Sequence, residues 1–198
     1  MNHAKCRIAL LALPFLASVA IAGPAMATTP VSASFTAGSL SLAPPIAISF
    51  PSTTITGVNV SLYDSASADE SLTVTDATGT GAGWNVTEQL TTVLTNGTHT
   101  IPAADLSVNG STTSASATTA PTNSINSGGV VATNSVPTYP VVLSSGSASV
   151  VDGATVNTGI GVNTVANLIP WAQIPVSAQF PGTYSGVDTI SVNSGPAA

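Results

Sequence analysis

Apolar residues recur along much of this chain at every second position, the repeat of a strand with one face turned inward. Ile46, Ile48 and Phe50 fall on one side, and Ala47 and Ser49 on the other. Leu72 and Val74 alternate with Ser71, Thr73 and Thr75, and Trp84 and Val86 alternate with Asn85 and Thr87. Ile160 and Val162 repeat the pattern, with Val165 out of phase, and Ile190 and Val192 close the chain in the same way. Turn signals separate these pieces at Gly79–Gly83, Asn96-Gly97, Asn109-Gly110, Asp152-Gly153 and Pro181-Gly182. Many short strands at this spacing predict an all-β fold, an antiparallel β-sandwich or barrel-like domain.

The N-terminal segment reads differently. Lys5 and Arg7 make a basic tip, Ile8 to Ile21 an apolar run, and Ala25-Met26-Ala27 a set of small residues. That order predicts a signal-peptide helix over residues 1–27, cleaved after Ala27. The run is short for a membrane span and contains Pro14 and Ser18. The remaining residues, 28–198, then form a single β domain. From Gly110 to Ser124 every residue is Gly, Ser, Thr, Ala, Pro or Asn. Without an apolar face to bury, 110–124 is expected to be a flexible Ser/Thr-rich loop between two groups of strands.

Signal removal changes the charge more than the length. It leaves 171 of 198 residues and takes away Lys5, Arg7 and Cys6, the only Lys, Arg and Cys in the sequence. The mature chain carries all eight Asp and Glu, for a net charge of −8 with His99 neutral. Without a cation there is no phosphate clamp and no counterion release, which argues against nucleic acid and anionic membranes as partners. Without a cysteine there is no disulfide. No second long apolar stretch follows, so no membrane insertion is expected after signal removal and attachment to a cell would be non-covalent.

Candidate chemistry is sparse. His99 follows the Asn96-Gly97 turn and has no neighbour suggesting a triad, so it reads as a solvated hairpin residue. One histidine and no cysteine make a poor start on a zinc site. Asp64, Asp69 and Glu70 lie within seven residues and could begin a calcium shell, but the repeat spacing of calcium loops is missing and a polar connection between strands is the favoured reading. No catalytic set, metal site or cofactor is predicted, and the protein is expected not to be an enzyme.

The informative stretch is Leu72 to Thr87: a strand, a glycine turn, and a second strand opening on Trp84. Asp76 is placed to cap the turn by accepting backbone N–H groups, and Gly79, Gly81 and Gly83 allow positive φ or close approach. Trp84 and Val86 share a face that reads as inward, which makes Trp84 a core anchor before it is a ligand contact.

The run Val74-Thr75-Asp76, then Gly79 to Val86, resembles the first motif of the WxL-domain family of secreted bacterial surface proteins. The resemblance extends to Gly38–Leu42, to Ile101–Leu106, and from Ile174-Pro175 through Tyr184 to Val192. Val86 stands where the family's first motif ends in Leu. In the second motif Tyr184, Thr189 and Pro196 are kept, while Asp188, Ile190 and Val192 replace a Leu, the Trp and the last Leu. The resemblance implies a secreted, cell-wall-associated protein that binds peptidoglycan or mediates adhesion. Trp84, Val86, Tyr184, Ile190 and Val192 are then the wall-binding candidates, and Asp76, Gly79, Gly81 and Gly83 the motif turn. Loss of the second tryptophan bears on wall binding more than on fold.

Two other functions fit the residues. One is a self-assembling subunit, a homopolymer joined by strand donation to a neighbour's sheet edge; as a wall-associated protein its partner would be a cell-wall polymer or another surface protein. The other is a carbohydrate-binding module with Trp171, Tyr139 or Tyr184 as stacking platforms. A glycosidase is more distant, since no spacing marks a catalytic carboxylate pair.

Overall fold

The computed structural model describes residues 32–66, 69–136 and 138–196, and the predicted signal-peptide helix lies outside them. All the described strands belong to one compact unit, Thr36–Ala198, and they pair antiparallel in three sheets. The first sheet has the order β1 (Leu40–Ala43), β3 (Ser71–Asp76), β10 (Ile160–Ala166), β7 (Thr122–Val130). The second has β2 (Val60–Tyr63), β11 (Ile169–Ile174), β6 (Leu106–Asn109), β8 (Val141–Val142). In the third, the long β4 (Trp84–Thr95) pairs on one side with β12 (Ser185–Ser194). On its other side it pairs with β9 (Ser149–Ala154) and β5 (Thr100–Ile101). Leu143 and Ser144 tie the last two sheets together: Leu143 N–H donates to Leu106 and the Ser144 carbonyl accepts from Leu90 N–H.

One core serves all three sheets, with Leu72, Val74, Trp84, Val86, Val108, Val151 and Val165 buried in it. Each strand supplies alternate residues, because successive side chains point to opposite faces. In β3 the buried set is Leu72, Val74 and Asp76; in β4 it is Trp84, Val86, Glu88 and Leu90. At β12 the inward positions are Asp188, Ile190 and Val192. The Asn96-Gly97 turn closes the β4–β5 hairpin as expected, with Gly97 at φ 91° and Asn96 Oδ1 accepting from Thr98 and His99 N–H.

The alternation was misleading in two places. Ile46, Ile48 and Phe50 are not in a strand, and Ile46 is 89 % exposed. Pro44, Pro45 and Pro51 remove ladder donors around them, and the Ala47 and Ser49 N–H groups go to the carboxylates of Asp69 and Asp64 instead. In β10 the buried residues are Asn163 and Val165, so the out-of-phase Val165 marks the true inner face and Ile160 and Val162 lie off it. Asn163 is tolerated inside because its Oδ1 accepts from Ala132 N–H at 3.1 Å.

Two turn readings also change. Asp152-Gly153 lies within strand β9. Gly153 is needed there for closeness, since a Cβ would sit 3.0 Å from the Trp84 carbonyl and hard against Ser135 Oγ. The Ser/Thr-rich segment ends early: Thr122–Ser124 already belong to β7. The part before it is pinned by Gly110 N–H on Thr119 and by Asn109 Nδ2 on the Ser114 and Ala115 carbonyls, both at 3.0 Å. Ala115 is buried against Ile169 and Trp171, so this segment covers a satellite cluster. Composition missed it because backbone carbonyls make the contacts.

Candidate functional site

The two motif strands are neighbours. β12 runs antiparallel beside β4 so that Val192 faces Val86, Ile190 faces Glu88 and Ser194 faces Trp84. Trp84, Val86, Ile190 and Val192, distant in sequence, therefore meet on one inward face. Trp84 and Val86 are both 0 % exposed, and Ile190 and Val192 pack partly buried against the same core. The Trp84 indole Nε1 donates to the Gly159 carbonyl at 2.9 Å, which satisfies its one polar atom inside the core. Trp84 and Val86 have no exposed surface, while Ile190 and Val192 keep part of theirs.

The motif turn holds Trp84 in place. Asp76 Oδ1 accepts from Thr78 N–H at 3.0 Å and from the Thr78 hydroxyl at 2.6 Å. Gly79, Gly81 and Gly83 all take positive φ, at 70°, 63° and 76°. Gly83 has a second reason to lack a side chain, because a Cβ there would press on the Ala154 carbonyl. Gly81 accepts from Asn157 N–H and Gly83 from Gly195 N–H, so the turn is tied to the β9–β10 connection and to the chain's last described residues.

Tyr184 packs partly buried against the same core, and unlike the other four it also borders open space. It lies just before β12 and lines a half-open cleft of about 550 Å³. The cleft walls are apolar, with Phe50, Leu62, Leu94, Ile174 and Phe180 beside Tyr184, and no charged side chain lines it. Its size falls within the usual range for small-ligand sites. The Tyr184 hydroxyl donates to the Phe180 carbonyl at 3.3 Å. Phe180 in turn stacks on His99, with centroids 3.6 Å apart and planes 5° from parallel. His99 is thus a half-buried partner of the cleft rim, not the solvated residue expected from its turn. Gln179 also lines the cleft: its Nε2 donates to the Val58 and Ile174 carbonyls while its buried Oε1 has no partner.

A family of domains described as "WxL domain surface cell wall-binding" matches residues 19–167, which is 149 of the 198 residues. The chain belongs to the WxL-domain family. It is accordingly a bacterial surface protein, extracellular and associated with the cell wall. No curated protein and no solved structure matches it. The matched range holds the first WxL motif and ends before β12, where this chain carries Asp188, Ile190 and Val192 in its second motif.

In this WxL domain the other aromatic candidates are used internally. Trp171 is 4 % exposed, leans on Tyr63 at 4.9 Å between centroids, and donates from Nε1 to the Ser111 carbonyl at 2.8 Å. Tyr139 is 7 % exposed and donates from its hydroxyl to the Val151 carbonyl. Neither offers a stacking platform for sugar. Asp64 and Asp69 bind backbone: Asp64 accepts from Ser49 and Ala66 N–H at 2.6 and 2.9 Å, and Asp69 from Ala47. Among the described residues no three His, Cys, Asp or Glu side chains gather as a metal site.

What the sequence did not announce is a set of carboxyls inside the core. Glu88, Asp152 and Asp188 each have at least one buried oxygen without a hydrogen-bond partner. The described residues contain no Lys or Arg to neutralise them. Desolvation, then the neighbouring Asp188, pushes Glu88 up to about 8. Desolvation likewise lifts Asp188 to about 6 and Asp152 to about 7, the latter opposed by hydrogen bonds from Asn123 and the Gly153 backbone. The only available hint was Glu88 falling in phase with Trp84 and Val86.

Proposed function

We propose that this WxL domain attaches non-covalently to peptidoglycan and that the Tyr184 cleft is its point of contact. Membership of a surface cell wall-binding family carries the reading. The cleft is favoured as the contact because Tyr184 alone among the motif candidates lines open space. Trp84, Val86, Ile190 and Val192 then act as positioning residues that fix β4 and β12 beneath it. An uncharged cleft suits an uncharged part of the wall polymer, and binding through it should be insensitive to moderate salt. Co-sedimentation of the protein with purified cell walls tests this. Tyr184→Ala should lower the melting temperature through its lost core contact but leave the protein folded at the assay temperature, and should remove it from the wall pellet. Equal pelleting of wild type and variant would move the contact elsewhere, and no pelleting of either would end the wall-binding reading.

A second reading, assembly by strand addition, has one observation in its favour. β12 is ten residues long and among the described residues pairs with β4 alone. Its outward residues Thr189, Ser191 and Asn193 carry no charge to discourage another strand. Filaments from purified protein would favour it, and a monomer at high concentration would not.

A further inference from the structure

We propose that Glu88 and Asp188 form a proton-controlled latch that keeps strand β12 closed on β4 when both are protonated and loosens it when they ionise.

The geometry sets up the pair. Ile190 faces Glu88 and Asp188 faces Leu90, so Glu88 and Asp188 are diagonal neighbours on one face of adjacent strands. Backbones at such positions lie roughly 7–8 Å apart, within reach of long side chains. That face is the inward one: Glu88 is 2 % exposed, and both Asp188 oxygens are buried. Glu88 Oε2 has no hydrogen-bond partner, and the Asp188 oxygens make none of good geometry: the backbone N–H of Thr189 is near enough to favour the Asp188 carboxylate, but burial outweighs it. A neutral carboxyl tolerates such a place far better than a carboxylate, and two carboxylates side by side are worse than one.

No neighbouring element relieves the pair. On β9, which flanks β4 on its other side, the titratable group is Asp152, and it is acidic. The 3-10 turn Ala103–Asp105 contacts β4 and brings Asp105, another acid with an unpartnered oxygen. Tyr139, whose hydroxyl binds the Val151 carbonyl, is neutral in the same region. His99 stacks on Phe180 at the far end of β4, and Lys5 and Arg7 lie outside the described residues.

β12 is an edge strand, with an irregularity beside the pair. Among the described residues it hydrogen-bonds to β4 alone, and its register with β4 shifts on either side of Val187, next to Asp188. Its end is tethered separately by Gly195 N–H on Gly83 and by Asn85 Nδ2 on the Gly195 carbonyl. Ionisation in the middle therefore works against a strand with a ladder on one side only, and β1, which also packs against β12, carries no titratable group to offset it. Burial lifts Asp188 to about 6 and Glu88 to about 8, which places the transition between these two pH points. Each carboxyl that must lose its proton on opening contributes a tenfold change in opening per pH unit.

Amide hydrogen exchange on the full chain, read as protection factors, tests the latch. Between pH 6 and 8 the opening constant of β12 amides should rise about a hundredfold and then level off, with β12 exchanging well ahead of β3. Glu88→Gln should abolish the rise over that interval. If Glu88→Gln does not fold, Asp188→Asn should remove the part of the dependence below pH 6 while the wild-type comparison stands. β12 and β3 amides exchanging in step at every pH, or the same pH dependence in Glu88→Gln, would overturn the proposal.

Discussion

The indole Nε1 of Trp84 donates to the carbonyl of Gly159 at 2.9 Å, so the first residue of β4 is bound to the turn that starts β10. Glycine is required at the accepting end. Gly159 sits at φ 69°, and a Cβ there would fall 2.5 Å from Ala154 Cβ and against the indole itself. The core's largest side chain and the residue that accommodates it are 75 positions apart.

Trp84→Ala should therefore destabilise the protein by about 3–5 kcal/mol through lost burial and a residual cavity. That is a large share of the roughly 5–15 kcal/mol margin of a typical domain. Wall binding would be lost together with the fold. A thermal melt of the variant within a degree or two of wild type would show that Trp84 is not in the core.

Gly159→Ala and Gly97→Ala separate backbone strain from crowding. Both glycines have positive φ, at 69° and 91°, but nothing lies within 4 Å of a Cβ built at Gly97. Gly97→Ala should cost about 1–2 kcal/mol, the penalty for a left-handed alanine. Gly159→Ala adds the clash with Trp84 and Ala154 and should cost clearly more. Chemical denaturation of the two variants side by side provides the comparison, and equal losses would remove the packing role given to Gly159.

Much of this fold was legible because period-two alternation is a direct consequence of strand geometry. The strands β3, β4 and β12 follow from it, and the Asn96-Gly97 hairpin and the Asp76 turn from the turn residues between them. Alternation could not reveal what long-range contacts decide. Asp152-Gly153 carries the residues of a turn, yet Gly153 lies in β9 because β4 approaches too closely for a side chain. Ile46–Phe50 carries the pattern of a strand, yet prolines and the carboxylates of Asp64 and Asp69 hold it as an irregular segment. The motif residues were legible as a motif but not as a site. All five hydrophobic candidates pack wholly or partly against the core, and the cleft beside Tyr184 is built from segments that meet only in three dimensions.

Trp171 should behave as a clasp for the segment 110–121. Its Nε1 holds the Ser111 carbonyl and its ring packs beside Ala115 and Ile169. Trp171→Phe keeps most of the apolar contact but leaves that carbonyl without its donor, a loss of about 1–3 kcal/mol if the carbonyl stays buried. Protease cleavage within 110–121 should become faster in the variant while the core strands stay protected. An unchanged cleavage rate would mean that Asn109 and the Gly110–Thr119 backbone bond secure the segment without Trp171.

The last expectation concerns acid stability, and its sign is opposite to that of most proteins. Asp152 is fully buried, accepts from Asn123 Nδ2 at 3.3 Å, and has its Oδ2 unpartnered. Burial raises it from 3.8 to about 7, so between those values the folded chain holds a proton that the unfolded chain has released. Unfolding then releases protons, and stability must fall as pH rises. This contribution is fully present below about pH 4 and is lost as pH passes 7. Glu88 and Asp188 act in the same direction, with folded values of about 8 and 6. No Lys or Arg among the described residues supplies an opposing ion pair. The melting temperature should be highest near pH 4, decline through pH 8 and then flatten. Asp152→Asn removes one of the three titrations, so it should melt above wild type at pH 8 and show a shallower decline from pH 4 to 7. A melting temperature that climbs from pH 4 to pH 7 would mean that these carboxyls are ionised at little cost in the folded state, and hence that the core is wetter than its packing indicates.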